Sequence, residues 1–449
     1  MTNFDSHTNE LVLADGSQIA VIGGGPSGSF FSIFVLKMAK MLGLSLRVTI
    51  FEPKDFKKDG PAGCNKCGGI ISELLVQMLA VEGISLNDRV VREGIVAYRL
   101  HTDEGEVTIA APGLERRIAS VYRGGGPKGM IGGDYESFDH YLLQQAVAEG
   151  AEHQLVKVDH VEMRNDRPVL FAQNKELMTA DLLVGAYGLS STSKLFEGLG
   201  FGYNEPPVIT TAIAELKMTE ETVHEVFGNT INLFLLPDKG LKFAAMIPKG
   251  DYVTLCLLGT SIDVDTVPNF LAKPIVQRFL PDSVPYSVEC RCLPKMNVGA
   301  PKVPYSDRIV VCGDCGSTRL FKDGLGAAYL MGKAVAKTVV FHGVGKQHFE
   351  NIYRPVYDSI IQDNMFGRIL FTATDIMRKN RTLTRGMLET VRKEQRDCGT
   401  RTLSTILWEM FTGNERYKNI FPKTLSPRMN LSLATNSLKA LVKPGRQRI

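Results

Sequence analysis

Apolar and polar positions fall into segments of distinct period along the chain. Ile19-Ala-Val-Ile22 is a short continuous apolar run, which predicts a buried strand. Gly23-Gly-Gly25-Pro26-Ser27-Gly28 interrupts it. About fifteen residues of helix-compatible spacing follow, and Arg47-Val-Thr-Ile-Phe-Glu52 is a second β-rich run ending in an acid. Ser72 before Glu73 predicts a helix start, because a serine oxygen caps free N–H groups and an acid suits the first turn. Residues 95–122 alternate as strands do, and Arg123-Gly-Gly-Gly-Pro-Lys-Gly129 reads as a loop, with phosphate contact as its other reading. Phe138 to Gly150 is an amphipathic helix stopped by glycine. It leads through short strands to the buried run Ala180–Gly185 and the turn Ala186-Tyr187-Gly188.

From about 205 to 300 four more strand patterns begin at Val208, Thr230, Phe243 and Tyr252. No long helix separates them, which predicts an antiparallel sheet rather than further βαβ units. Arg308-Ile-Val-Val-Cys312 returns to a buried strand, Gly324 opens a helix to about Val340, and the pattern beyond Phe349 is helical almost to the end. The expected class is α/β: a Rossmann-like nucleotide-binding domain, an inserted, mostly antiparallel β-sheet domain and a helical C-terminal extension. The expected bounds are 1–90, 120–205 and 300–345 for the first domain, 91–119 and 206–299 for the sheet, and 346–449 for the helical region.

Spacing gives the first segment its chemistry. A strand, a glycine turn, a helix and a second strand with a terminal acid form the unit that sets a dinucleotide pyrophosphate on a helix N-terminus. Gly23 permits the tight turn, Gly25 lets the backbone approach phosphate, and Gly28 lets the helix pack on the strand, with Pro26 and Ser27 opening that helix. Glu52, 24 positions after Gly28, is placed to accept bonds from the adenosine ribose hydroxyls.

At 449 residues and 44% hydrophobic content the chain can bury cores for two or three domains. No run of about 18 apolar residues occurs, and Met1–His7 lacks the basic and apolar regions of a secretory signal, so a cytosolic protein is expected. The eight cysteines are then reduced thiols. Residues 376–449 carry 16 Lys and Arg against 5 Asp and Glu, so this tail holds +11 while the other 375 residues hold −7 of the overall +4. A basic tail containing Trp408, Phe411 and Phe421 suggests peripheral contact with an anionic membrane surface. The other reading is a solvated helical face. Nothing beyond the tail suggests nucleic-acid binding.

The strand end Gly313-Asp314, followed by Gly324-Leu-Gly326 at a helix start, resembles the second flavin-binding motif of the glutathione-reductase-like flavoproteins. The motif order, the strand-rich insertion, Cys67-Gly68-Gly69, Phe138-Asp139, Pro248-Lys249-Gly250-Asp251 and Gly313-Asp314 resemble the hydroxylase-like branch of that group. Within it, over residues 19–340, they resemble the geranylgeranyl reductase family. The resemblance implies FAD as cofactor, with Asp314 on the ribitol, the Gly324–Gly326 helix start at the flavin N1–C2=O edge, and Cys67 with Gly68 and Gly69 beside the ring. It implies reduction of carbon–carbon double bonds in a prenyl or other lipid-like substrate. Phe243, Ala245, Ile247 and Pro248 would line the substrate tunnel, with Ala245 where the family carries Trp.

Tyr187 stands where flavoprotein monooxygenases usually have Asp, and no second glycine fingerprint would hold a nicotinamide. Electrons then come from transient NAD(P)H contact or a donor protein such as ferredoxin. A flavin-dependent monooxygenase or halogenase, and an FAD-containing electron carrier serving a partner, are the alternative functions. Cys64 and Cys67 have three readings: a packed structural pair, a metal site short of ligands, or, for Cys67, a thiol beside the flavin that relays a proton or pairs with Cys64. No metal site is expected.

Overall fold

The computed structural model describes residues 11–112, 118–128, 135–189, 193–396 and 401–442. Packing divides the chain into two units. One comprises Met1–Lys58, Glu136–Val208 and Met296–Gln362, and the other Asp59–Tyr135, Ile209–Lys295 and Asp363–Ile449.

The first unit is built on a six-stranded sheet in the order Tyr305–Ser306, Ile309–Val311, Leu182–Gly185, Gln18–Ile22, Arg47–Phe51, Glu152–Gln154. The last five run parallel, and only the Tyr305–Ser306 edge strand is antiparallel to its neighbour. The central strands are apolar and buried along nearly their whole length, Gln18 excepted, because parallel sheets are covered on both faces. The apolar-run, glycine-turn, helix pattern appears as the strand Gln18–Ile22 and the helix Pro26–Met41, and the later motif as the helix Gly324–Phe341. These two helices touch closely. A Cβ on Gly332 would lie 3.0 Å from Phe31 N and 3.4 Å from Ser27 O. Phe30 and Phe34 meet Tyr329 edge to face at 5.5 and 5.2 Å.

The second unit contains an eight-stranded sheet. Its main path runs Ser287–Cys292, Val208–Lys217, Tyr252–Gly259, Leu241–Lys249, Thr230–Phe234, Ala97–Thr102, Gly105–Ala110. All neighbours along this path are antiparallel except Thr230–Phe234 with Ala97–Thr102. Alternation sorts its residues. Ala212, Ala214, Leu216, Ala244, Met246, Val253, Leu255 and Leu257 face a core that includes Val223, Val267, Phe270 and Val276 from three short helices. Ile70–Ile71, Ile118–Val121 and Val91–Ile95 form a separate small sheet. The helix over Glu73–Val81 is capped as its sequence predicts, with Ser72 Oγ accepting from Leu75 N–H at 3.3 Å.

The C-terminal region is helical, but its aromatic residues do not serve as surface anchors. Trp408 is fully buried and Phe411 nearly so. Trp408 meets Tyr98 edge to face at 5.6 Å, and Tyr98 Oη donates to Phe411 O at 3.1 Å. Phe421 is half-buried and packs on Phe366 at 5.5 Å. Their apolar area is used inside the unit, which corrects the expectation that they meet a membrane.

Gly332→Leu should force the two long helices of the first unit apart and destabilise it by about 1–3 kcal/mol, the usual range for overpacking. Urea unfolding checks this. A midpoint unchanged from wild type would show that the close approach is not needed.

Candidate functional site

Three motifs distant in sequence meet at the carboxyl ends of the parallel strands. Gly23 has φ +107°, and a Cβ on it would lie 2.4 Å from Ala186 O. Gly313 has φ +77°, and its Cβ would lie 2.1 Å from Ser27 Oγ. Gly28 lies so close beneath the turn that a Cβ would meet Gly23 O at 1.9 Å. Side chains at these positions would push the strand ends apart. A ligand at the carboxyl edge of an open parallel sheet lies where such sheets bind nucleotides.

Each feature of the cradle has a local cause. Gly25 is the N-cap of the Pro26–Met41 helix and makes no side-chain cap, so the first turn directs N–H groups outward without a resident acceptor from that residue. Glu52, at the end of its strand, is buried. Its Oε2 accepts from Gly24 N–H at 3.0 Å and its Oε1 from Lys54 N–H at 2.9 Å. Burial raises the Glu52 carboxyl above its ordinary range, and those two N–H groups oppose the rise. A carboxylate has about four acceptor sites, so two remain for sugar hydroxyls.

Asp314 is the exposed residue in an otherwise buried stretch from Arg308 to Leu320. Its own carbonyl accepts from Asn297 Nδ2 at 2.7 Å, which holds the turn. Ser317 Oγ, buried beside this turn, makes no hydrogen bond. A side-chain-free glycine bay, an open helix N-terminus, an outward carboxylate and a buried hydroxyl in need of a partner fit a dinucleotide of the FAD type. Gly23, Gly25, Pro26, Ser27, Gly28 and Glu52 would hold its adenosine diphosphate half, and Gly313, Asp314, Gly324 and Gly326 the rest.

The structure adds two features that the sequence motifs do not show. Asp323 has φ +54° and caps the Gly324–Phe341 helix, accepting from Gly326 N–H at 3.2 Å and pairing with Arg319 at 2.9 Å. A Cβ on Gly326 would strike that carboxylate at 2.4 Å, so Gly326 makes room for the cap. Tyr187 Oη donates to Tyr203 Oη at 3.2 Å, and Tyr203 Oη donates to Cys315 O at 2.7 Å. Burial pushes the Tyr187 hydroxyl far up, so it stays protonated. The tyrosine therefore ties its turn to the Gly313-Asp314-Cys315 turn by neutral hydrogen bonds, where an Asp would bring a charge.

The second unit gathers the other predicted residues. Phe243, Ala245 and Ile247 share one face of their strand, opposite the helix-covered core, and all three are buried. Residues in register with them extend this face: Leu258 and Thr211, then Cys256, Ile213 and Cys292, then Thr254, Glu215 and Cys290. Phe243 stacks on Phe371 at 6.5 Å. Pro248 is buried, and its carbonyl accepts from Ser120 Oγ at 2.9 Å, so it joins the sheet to the Ile118–Val121 strand rather than to this face.

The Cys-Gly-Gly segment packs directly on this face. A Cβ on Gly68 would lie 3.0 Å from Cys256 Sγ and 3.3 Å from Ile247 Cδ1. Gly69, with φ +65°, leaves no room for one between Val121 O at 2.0 Å and Lys249 Nζ at 3.1 Å. Cys64 and Cys67 are half-buried thiols outside any disulfide, each turned back on its own loop. Cys64 Sγ accepts from Lys66 N–H at 3.1 Å and Cys67 Sγ from Gly69 N–H at 3.5 Å. Burial, with Cys64 adding to it, pushes the Cys292 thiol up to about 12. The Arg123–Lys128 stretch packs on the same loop: Gly126 O accepts from Gly60 N–H and Arg123 O from Asn65 N–H. Gly129 lies outside the described residues. Among the described residues, no group of three or more His, Cys, Asp or Glu side chains could hold a metal ion.

Glu215 and Lys249 act on each other although no sequence motif joins them. Lys249 is buried, with its ammonium 5.0 Å from the Tyr122 ring centroid. Glu215 accepts from Thr254 Oγ1 at 2.8 Å. Burial raises its carboxyl, while Lys249 and that hydrogen bond oppose the rise. A charged residue at an inward position of an otherwise apolar strand is the only signal the sequence offers for it.

No family model matches the chain, and no curated protein matches it by sequence. Solved structures do match in fold. A geranylgeranyl bacteriochlorophyll reductase-like protein from Thermoplasma acidophilum superposes with a TM-score of 0.62 at 12% identity, covering 96% of this chain and 98% of that one. A flavoprotein/dehydrogenase from Cytophaga hutchinsonii gives 0.61 at 14%, covering 95% and 100%. The p-nitrophenol 4-monooxygenase of Pseudomonas putida gives 0.53 at 12%, covering 97% and 100%. At such identities the likeness establishes the fold: a Rossmann-like nucleotide-binding domain with an inserted, mostly antiparallel sheet and a helical C-terminal region.

The raised Glu215 carboxyl sets a direction for pH dependence. The folded state holds this proton more tightly than the unfolded chain, so stability from this group is complete below the ordinary glutamate pKa of about 4.3 and is lost as pH rises through the raised value. Glu215→Gln should therefore gain stability relative to wild type as pH rises through that window, measured by denaturant unfolding at a series of pH values. Parallel curves for the two proteins would contradict the raised carboxyl. Tyr122, Tyr252 and Cys292 feel the charge of Glu215, Lys249 acts on it, and Cys290 is in register beside it.

Proposed function

We propose that the chain is an FAD-dependent oxidoreductase that reduces carbon–carbon double bonds of a prenyl or other lipid-like substrate. The observation that carries this reading is the sheet face of Phe243, Ala245, Ile247, Leu258 and Ile213, apolar on the side away from its own core, with the Cys67-Gly68-Gly69 segment packed against it. FAD, reduced by NAD(P)H or a ferredoxin-like donor, supplies hydride when bound. The glycine turn and the Pro26–Met41 helix start bind its pyrophosphate, and Asp314 orients its ribityl chain.

An isolated alkene also needs a proton at its second carbon and surroundings that exclude water. The apolar face serves the second need. For the first, Cys67 is the candidate donor or relay, with Cys64, three residues before it, as a partner thiol. Glu215, which holds its proton upward of the ordinary carboxylate range, is a reserve on the same sheet face. Ala245 in place of a large aromatic residue leaves room for a bulky or branched chain.

The protein should purify yellow with FAD, and Glu52→Arg or Asp314→Ala should lower occupancy. Anaerobically reduced protein should be reoxidised by a prenyl lipid, followed by flavin absorbance with mass spectrometry of the saturated product. Cys67→Ser should slow that step at least tenfold while FAD stays bound, and Ala245→Trp should narrow the range of chains accepted. Reduced protein that ignores every prenyl chain and consumes oxygen with a hydroxylated or halogenated product would replace this reading by the monooxygenase or halogenase one. Reoxidation only by a partner protein would replace it by electron carriage.

A further inference from the structure

The helix Pro427–Val442 carries apolar residues on its outer side as well as its inner one. Its inner side buries Met429 and meets the helix Arg381–Arg396 through small and polar groups: a Cβ on Gly386 would lie 2.0 Å from Ser437 Oγ, and Asn436 Nδ2 donates to Thr390 Oγ1 at 2.9 Å. Its outer side carries Leu431, Leu438 and Leu441, which are 70%, 64% and 64% exposed. Spacings of seven and three place these leucines on one helical stripe, and Leu425, 63% exposed, precedes it. A soluble helix normally hides such a stripe and exposes its polar residues, since each leucine gains by leaving water.

Charge identifies what covers the stripe. From Arg416 to Ile449 the chain has eight Lys and Arg and no Asp or Glu. Arg428 and Lys439 are exposed on the helix itself, and Arg416 and Lys418 are exposed shortly before it. Lys423 is already paired with Glu409, and a second copy of the chain, packed stripe to stripe, would set the remaining cations against one another with no acid on the helix itself to offset them. An anionic lipid surface offers phosphates for the cations and an acyl boundary for the leucines. No described helix is long and apolar enough to cross a membrane, so this one would lie in the plane of the interface.

We propose that the outer face of the Pro427–Val442 helix docks the protein on an anionic bilayer, with Leu431, Leu438 and Leu441 in the acyl boundary and Arg428 and Lys439 at the headgroup phosphates. The proposal does not depend on the reaction proposed above. It replaces Trp408 and Phe411 by solvent-facing leucines as the apolar anchors.

Cosedimentation of the full chain with phosphatidylcholine vesicles, with and without about one-third phosphatidylglycerol, tests it. Wild type should bind the anionic vesicles and release as salt rises. Leu431→Gln/Leu438→Gln should lower partitioning about a hundredfold, because each leucine contributes about a factor of ten. Arg428→Gln/Lys439→Gln should lower it by about fivefold per cation and flatten the salt dependence. Equal binding to neutral and anionic vesicles would overturn the proposal, as would wild-type partitioning of the leucine variant. So would a wild-type dimer in light scattering that ignores vesicles and becomes a monomer in the leucine variant, which would assign the stripe to a second copy.

Discussion

The first unit depends on a shortage of space. Three strand ends approach so closely that Gly23, Gly28 and Gly313 cannot carry a Cβ without meeting Ala186 O, Gly23 O and Ser27 Oγ respectively. That convergence is possible because the five parallel strands place their carboxyl ends at one edge, and the helices after two of them pack together through Gly332. Two of the glycines also adopt positive φ, so other residues would be strained there as well as crowded. Backbone stripped of side chains can approach a phosphate closely, so the constraint that closes the fold also forms the cradle.

The second unit solves a different problem with one sheet. Strict alternation sends Ala212, Ala214, Ala244, Met246 and Leu255 into a helix-covered core, and Ile213, Ala245, Ile247 and Cys256 to the opposite face. The small residues on the core side let helices approach. On the other face the glycines of Cys67-Gly68-Gly69 let a loop approach. Glu215 lies in register on that same face, where burial raises its carboxyl and the Thr254 hydrogen bond and the field of Lys249 oppose the rise. A buried carboxyl that holds its proton more tightly than an ordinary one is suited to proton transfer.

Much of this was legible in the sequence because periodicity and punctuation are local. The apolar run before Gly23, the helix after it, the Ser72 cap and the four strand patterns between 205 and 300 each depend on neighbours within a few residues, and each appears where its pattern places it. Register and side-chain burial are not local. The parallel pairing of Thr230–Phe234 with Ala97–Thr102 joins segments more than a hundred residues apart. The hydrogen bond between Asp323 and Gly326 was hidden in a motif read for its glycines alone, and the pairing of Asp323 with Arg319 depends on a loop turning back. Tyr203 sits 16 residues after Tyr187 with nothing in the spacing to announce their contact.

The C-terminal helices show the same limit with a larger consequence. Composition correctly marks the region as basic and rich in apolar residues, but it cannot say which apolar residues face outward. Aromatic residues bury the most area each, so Trp408 and Phe411 contribute most when packed against Tyr98, and the unit takes them. The leucines of Pro427–Val442 remain outside because the inner contact is made by buried Met429, by the hydrogen bond of Asn436 and by the close approach of Ser437 to the bare Cα of Gly386. An apolar stripe left in water by such an arrangement is a cost to the isolated protein, and a surface that is both acyl and anionic would remove it.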